Sequence, residues 1–378
     1  MWPAGAAARI LRKMKIQGFF YKTEPAGTGP LEEDDHGAAK AVMVTQILLF
    51  FLLGIAGAVE KPWPMLLHSA YTPFTEEGQL DVSQVGQLAV QAKGMGVNTV
   101  FVGGSMAEFD TLTINERKTL MQAWLEAAQT NGLYTIVNVG TTVLVDAQEL
   151  AATAQRFGAD AIATVPPYYT RAGDVETLVE WLADVASAAP TLPFWFYHLP
   201  GVTHVEIDVA DLLSTADASG KLPQLLENGG VKFVSSDLGD FLTSSNWVAS
   251  SSYNTSILFA PEPKLQGFAL QTPYQGAVLA EDFYAPTYLR MRALYEEGDA
   301  DGAIAEQNWK QDVAEPIFSK YGGTAAKRVS YRKSCGVEMG CNRAPGTCFN
   351  ESNYEALVAE LDAIGFWDQA PPPATAGK

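Results

Sequence analysis

The sequence predicts an α/β chain folded as a (β/α)8 (TIM) barrel, with a C-terminal helical extension behind it and an N-terminal targeting or anchor segment ahead of it. Three observations carry that prediction. From Pro64 onward, short apolar runs alternate with stretches of helical periodicity. The runs are apolar throughout, as in a parallel sheet buried on both faces. About eight such units fit into roughly 220 residues, which suits a closed barrel better than an open doubly wound sheet. No G-x-G-x-x-G follows the first run, which counts against a dinucleotide-binding fold.

The chain divides into a presequence (1–59), a barrel (60–287), a helical extension (288–366) and a disordered Pro-rich tail (367–378). The first 22 residues hold five basic residues and no acid, and an acidic cluster at 32–35 follows. An uncharged run then opens at Ala41, closes at Val59 and contains the small-x-small sequence Ala56-Gly57-Ala58. That sequence favours a cleaved secretory signal, with a signal anchor as the second reading and a cytoplasmic location as the alternative. Length alone allows residues 41–59 to tether the chain to a membrane. A buried core helix ranks last, because the run lacks a polar face. The 40 residues ahead of the run exceed an ordinary leader, and Met43 would give a more conventional start.

Within the barrel, the first strand is expected at residues 65–71, ahead of Thr72-Pro73. Val82, Val85, Leu88, Ala92 and Met95 recur at helical spacing and stop at Gly96. A second strand at 98–102 runs into Gly103-Gly104-Ser105, and a helix over 115–130 ends at Asn131-Gly132. A third strand (134–139), a helix (147–157), a fourth strand (161–165) and a helix (175–188) follow. The fifth strand is 194–198, and the sixth contains Lys232. Residues 257–259 and 276–279 are weaker candidates for the last two, ahead of helices over 288–320 and 353–364.

Composition narrows the function. A formal charge of −18 over 378 residues argues against nucleic acid and against anionic lipid surfaces. The cysteines Cys335, Cys341 and Cys348 lack the paired C-x2-C spacing of a zinc site. In an oxidising compartment they would form one local disulfide and leave one thiol. Two N-x-S/T sequons, at Asn254 and Asn350, are compatible with secretory passage.

Functional groups of a barrel collect at the C-terminal ends of its strands. Those ends offer Ser105, Tyr168 and Tyr169, Tyr197 and His198, and Lys232. A lysine inside an apolar strand is either a snorkelling surface residue or a desolvated amine able to attack a ketone. A phenol one strand away would relay protons for such chemistry, or would simply pack in the aromatic run 194–197. His198 reads first as a hydrogen-bonded structural residue.

Three motifs then carry a resemblance. They are Gly103-Gly104-Ser105-Met106-Ala107-Glu108, Tyr197-His198-Leu199-Pro200 and Gly230-Val231-Lys232, in order and at the ends of the second, fifth and sixth strands. Together they resemble the N-acetylneuraminate lyase and dihydrodipicolinate synthase family of pyruvate-dependent Schiff-base aldolases, most closely its animal-type lyases. The similarity spans about 65–361.

The resemblance implies a carbon–carbon lyase that splits a 2-keto acid sugar, foremost N-acetylneuraminate, into pyruvate and an aldehyde sugar. Lys232 would form the imine and Tyr197 would relay protons. Gly104, Ser105 and Met106 would hold the pyruvate carboxylate. Tyr168 and Tyr169 would contribute at a subunit contact of a homotetramer. No metal or organic cofactor is implied.

Several positions depart from the family pattern, in the carboxylate turn and on the sugar side, while Glu262 keeps an acid by type. Met106 replaces a threonine and Ala107 a glycine. Val234 stands where the lyases carry Ser or Thr. Ala260 and Glu262 fall in the segment that meets the polyol tail, and Glu281 falls where a serine is expected. Two alternatives therefore stay open: an aldolase for another 2-keto-3-deoxy acid, or dihydrodipicolinate synthase-like enzyme, and a non-catalytic descendant that binds a keto acid or glycan.

Overall fold

The computed structural model describes residues 61–260 and 276–368. The predicted targeting segment, Glu262 and nearly all of the predicted tail lie outside them. All the described residues belong to one compact unit, Gly57–Lys378. Among them, no helix is long and apolar enough to cross a membrane.

Eight parallel strands close into a barrel in sequence order. They are β1 (Leu66–Ser69), β2 (Thr99–Val102), β3 (Tyr134–Asn138), β4 (Ala161–Thr164), β5 (Phe194–His198), β6 (Gly230–Phe233), β7 (Ser256–Phe259) and β8 (Ala277–Leu279). All are buried along their length, as their mostly apolar, non-alternating character requires. Alternate residues serve two cores. Leu67, Phe101, Ile136, Ala163, Trp195, Tyr197 and Leu258 fill the interior. Leu66, Val100, Val137, Ile162, Phe196, Phe233 and Phe259 face the surrounding helices.

The helices are α1 (Val85–Gly94), α2 (Ile114–Asn131), α3 (Leu144–Phe157), α4 (Val175–Ser187), α5 (Pro200–Thr203), α6 (Val209–Ser219), α7 (Pro223–Glu227) and α8 (Leu238–Ser250). Helix α2 starts at a capping box, Thr113 with Glu116, and stops at Gly132 in the left-handed region (φ 61°). The expected strand and helix positions hold to within a few residues, the first strand being shorter than the apolar run. Helices α6 and α8 were not anticipated from periodicity. In α8, Ser244 and Ser245 are buried, so the core-facing stripe is partly polar and its period is masked.

Beyond the barrel run α9 (Ala285–Glu296), α10 (Ala300–Asn308), α11 (Glu315–Lys320), α12 (Thr324–Val329), α13 (Tyr331–Cys335) and α14 (Tyr354–Ala363). The single helical stretch expected over 288–320 is broken by Gly298 (φ 88°) and by a π-helical turn, Trp309–Ala314. Cys341 and Cys348 form a disulfide and Cys335 is free, the pairing pattern expected of the three cysteines.

Candidate active site

Lys232 lies on β6 in register with Tyr197 of β5, and both side chains enter the barrel interior. Gly230, two residues before Lys232, shares that face. A Cβ there would meet the Trp195 ring at 2.7 Å and the Ser256 carbonyl at 2.3 Å, so only glycine lets this strand sit so close. Lys232 is 2% exposed. Its Nζ donates to Ser69 Oγ at 2.9 Å and otherwise rests on ring faces, 3.7 Å from the Phe101 centroid and 4.2 Å from that of Tyr197. Loss of water around the ammonium pushes the lysine well below its ordinary pKa. Burial thus shifts this amine toward its neutral, nucleophilic form.

The Tyr197 hydroxyl stands 3.1 Å from Ser105 Oγ, and its ring packs edge-on to Phe101 at 5.1 Å. Burial raises the phenol pKa, with both the hydroxyl and the backbone N–H of Ser105 opposing the shift. Ser105 belongs to a tight turn after β2. Gly103 opens it at φ 71°, Ser105–Ala107 form one 3-10 turn, and Glu108 closes it at φ 54°. Asn138 Nδ2 donates to the Gly103 carbonyl and Thr72 Oγ1 to the Ala107 carbonyl, each at 2.7 Å. A Cβ on Gly104 would strike the Phe101 ring at 2.8 Å, and Lys232 Nζ would be only 3.8 Å away. The N–H groups of Ala107 and Glu108 bond back to Gly104 and Ser105, whereas that of Met106 has no backbone acceptor among the described residues. The Met106 side chain packs against the outer core. Whatever Met106 offers a carboxylate must therefore come from its backbone.

The remaining predicted positions separate. Tyr168, Val234 and Ala260 are partly buried against the interior core, so they share the barrel space that holds Lys232. Tyr169 is 88% exposed. Glu281, expected to face substrate, instead accepts from Tyr71 at 3.0 Å and pairs with Lys327 at 3.3 Å. Its place just past the short β8 turns the side chain to the C-terminal helices, where a basic partner offsets burial of the carboxylate. His198 faces outward between Phe196 and Phe233, 3.8 Å from Asp240, and burial lowers its pKa to about 4. It is a packing residue.

Several residues that organise the site were not singled out from sequence. Ser69 accepts from the Lys232 amine. Arg117 is buried and donates to the Asn138 and Gly140 carbonyls at 2.8 and 2.9 Å, locking the end of β3 beneath the β2 turn. Glu108 accepts from Arg328 at 3.2 Å and from the Arg343 N–H at 2.8 Å. Ser69 alone had a signal: it lies two residues past Leu67, on the same face of a strand otherwise lined with hydrocarbon.

Residues 65–364 match the model of the dihydrodipicolinate synthetase family. The chain belongs to that family. Among relatives in it, the N-acetylneuraminate lyase of Pongo abelii is 36% identical over 309 residues, covering 80% of this chain and 94% of that one. The human N-acetylneuraminate lyase is 35% identical over 309 residues with the same coverage. The solved N-acetylneuraminate lyase of Proteus mirabilis superposes with a TM-score of 0.72 at 25% identity, covering 80% of this chain and 98% of that one.

Proposed function

We propose that this family member is a Schiff-base pyruvate lyase whose leading substrate is N-acetylneuraminate. The observation that carries the reading is Lys232: a desolvated amine inside a family barrel, in register with Tyr197, whose hydroxyl is held by Ser105. The neutral Nζ adds its lone pair to the substrate ketone carbon. The ketone oxygen takes up two protons, one shed by the nitrogen and one from a donor, and leaves as water, which gives a protonated imine. The bond between C3 and C4 then breaks, its electron pair passing into the imine to form an enamine. At the same time the C4 hydroxyl gives up its proton and becomes the aldehyde. Protonation of the enamine carbon and attack by water release pyruvate and restore the amine.

Tyr197 stands where a group must move these protons, and Ser105 orients its hydroxyl. Burial holds Tyr197 as a phenol at neutral pH, so it enters the cycle as a donor. The Ser105 hydroxyl and the Met106 N–H are the donors of the β2 turn suited to the pyruvate carboxylate.

A second reading keeps the chemistry and changes the acid. Val234 and Ala260 bring hydrocarbon to the interior where a polyol would want hydroxyls. They favour a 2-keto-3-deoxy acid with a less hydroxylated tail. The intact Lys232, Tyr197 and Ser105 set weighs against a non-catalytic descendant.

The test is incubation with pyruvate, borohydride reduction and mass mapping. A reduced adduct on Lys232 is expected, and its absence across pH 6–9 would remove the aldolase reading. Pyruvate release from a panel of keto-acid sugars then chooses between the two substrates.

Two further proposals concern the whole chain. Residues 41–59 direct it into the secretory system, a reading supported by the Cys341–Cys348 disulfide, and sequencing the mature N-terminus tests it. The chain assembles as a homotetramer, with the exposed Tyr169 available to a neighbouring copy, and light scattering tests that.

A further inference from the structure

Lys232 Nζ makes its one polar contact among the described residues with Ser69 Oγ, at 2.9 Å. Both residues are buried, at 2% and 4% exposure. The other neighbours of the nitrogen are the ring faces of Phe101 and Tyr197. The Tyr197 hydroxyl is turned to Ser105 instead. The site therefore holds two separate hydroxyl devices, one built on Tyr197 and Ser105 and one on Ser69 alone. Ser69 comes from β1, on the opposite side of the barrel opening from the β5–β6 pair that carries Tyr197 and Lys232.

We propose that Ser69 is a further catalytic residue of the Schiff-base reaction: its Oγ accepts the N–H of the lysine nitrogen through the amine and iminium stages and fixes the plane of the imine. The inference rests on the Schiff-base reading of Lys232. Its physical basis is the charge history of one nitrogen. The attacking amine must keep its lone pair free, and a hydroxyl that accepts one N–H leaves that lone pair pointed at substrate. A carboxylate at the same place would hold the nitrogen as ammonium and suppress attack. Once water has left, the iminium nitrogen carries a single N–H and a positive charge in a nearly dry site. An acceptor for that N–H stabilises the cation, and because the N–H lies in the plane of the imine, the acceptor also sets its rotation about the lysine arm. No bond to Ser69 forms or breaks, so the stoichiometry of the cycle is unchanged.

The titratable neighbours do not supply this stabilisation. Tyr197, from β5, presents its ring face to the nitrogen. His68, from β1, acts on Lys232 electrostatically, but its pKa is pushed down to about 3, so it is neutral over the range tested. The packed strands β2 and β7 bring Phe101 and Leu258.

The experiment compares wild type with Ser69→Ala and Ser69→Thr, each first shown to be folded by circular dichroism. The readout is borohydride trapping with saturating pyruvate from pH 5 to 9. Ser69→Ala is expected to trap about 10-fold less adduct, the worth of one hydrogen bond to a charged group. Its trapping profile should also move to lower pH, because the ammonium form loses its acceptor. Ser69→Thr, which restores the hydroxyl, should recover both. A folded Ser69→Ala with wild-type yield and profile overturns the proposal. So does a Ser69→Thr protein as defective as Ser69→Ala, since that would trace the effect to packing. If wild type itself is not trapped, the Schiff-base reading fails and this inference falls with it; if only the Ser69 variants match wild type, this inference falls alone.

Discussion

In the proposed reaction Lys232 and Tyr197 divide the labour, because the barrel desolvates them in opposite chemical senses. Burial removes the charge from a lysine and keeps the proton on a tyrosine. The amine becomes a nucleophile and the phenol a proton donor without any acid beside either one. Tyr197→Phe keeps the packing on Phe101 and loses only the hydroxyl. Its kcat for pyruvate release should fall about 10²–10⁴-fold, the usual worth of a general acid–base, while borohydride still marks Lys232. Val234 tests the other half of the site. Val234→Thr adds a hydroxyl on the interior side at nearly constant volume. It should raise kcat/KM for N-acetylneuraminate about 10-fold if the sugar reaches it, one hydrogen bond's worth. An unchanged or lower value in the pyruvate-release assay would favour the less hydroxylated substrate.

The β2 turn is the element on which the site depends, and it is held from outside the barrel. Arg328 of α12 is 2% exposed. It donates to the Thr72 carbonyl at 2.5 Å, to Met339 at 2.6 Å, to Gly340 at 3.0 Å and to Glu108 at 3.2 Å. Arg343, inside the disulfide loop, donates to Gly78, Thr111 and Glu116. The C-terminal segment thus clamps the loops after β1 and β2, the strands that supply Ser69 and Ser105. Arg328→Met would remove a donor shared by three carbonyls and a carboxylate, of which Glu108 keeps the Arg343 N–H and Met339 the Phe74 N–H. It should cost about 3–5 kcal/mol in urea unfolding, the range for breaking a buried ion pair. Glu108 ends the sequence motif of that turn, which assigned it no role. That its partner lies 220 residues downstream was beyond any local pattern.

At the scale of the whole molecule, the seam between barrel and helical extension is polar and buried. Asp282 accepts from Tyr331 at 2.7 Å, and desolvation raises its pKa to about 7. A raised carboxyl pKa means the native state binds the proton more tightly than the unfolded chain does. Its cost to stability therefore grows as pH rises from about 4 to about 7 and is constant above. Asp282→Asn keeps an acceptor for Tyr331 and removes the charge. Its gain in urea stability should be larger at pH 8 than at pH 5 by roughly 2–3 kcal/mol. The buried His68 and His198 act in the other direction. Their pKa values of about 3 and about 4 mean that wild type loses stability as pH falls below the ordinary histidine value and levels off only when they too are protonated. Taken alone, the Asp282 and histidine contributions are jointly least costly between about pH 6 and 7.

The sequence by itself determined the barrel, because strands buried on both faces and helices with one apolar stripe leave a period that can be read residue by residue. It also placed Lys232, Tyr197 and Ser105 at strand ends, since the side-chain alternation of a strand is local. Helix α8, with its buried serines, and the contacts of Ser69, Arg117 and Arg328 were decided only by the tertiary structure. Each of those three polar groups takes its meaning from a partner on another element, and a buried donor or acceptor is defined by what closes around it. The same reason separates Glu281 from substrate. Its position beyond β8 was legible, but Tyr71 and Lys327, which claim its carboxylate, come from β1's loop and from the far C-terminal helices.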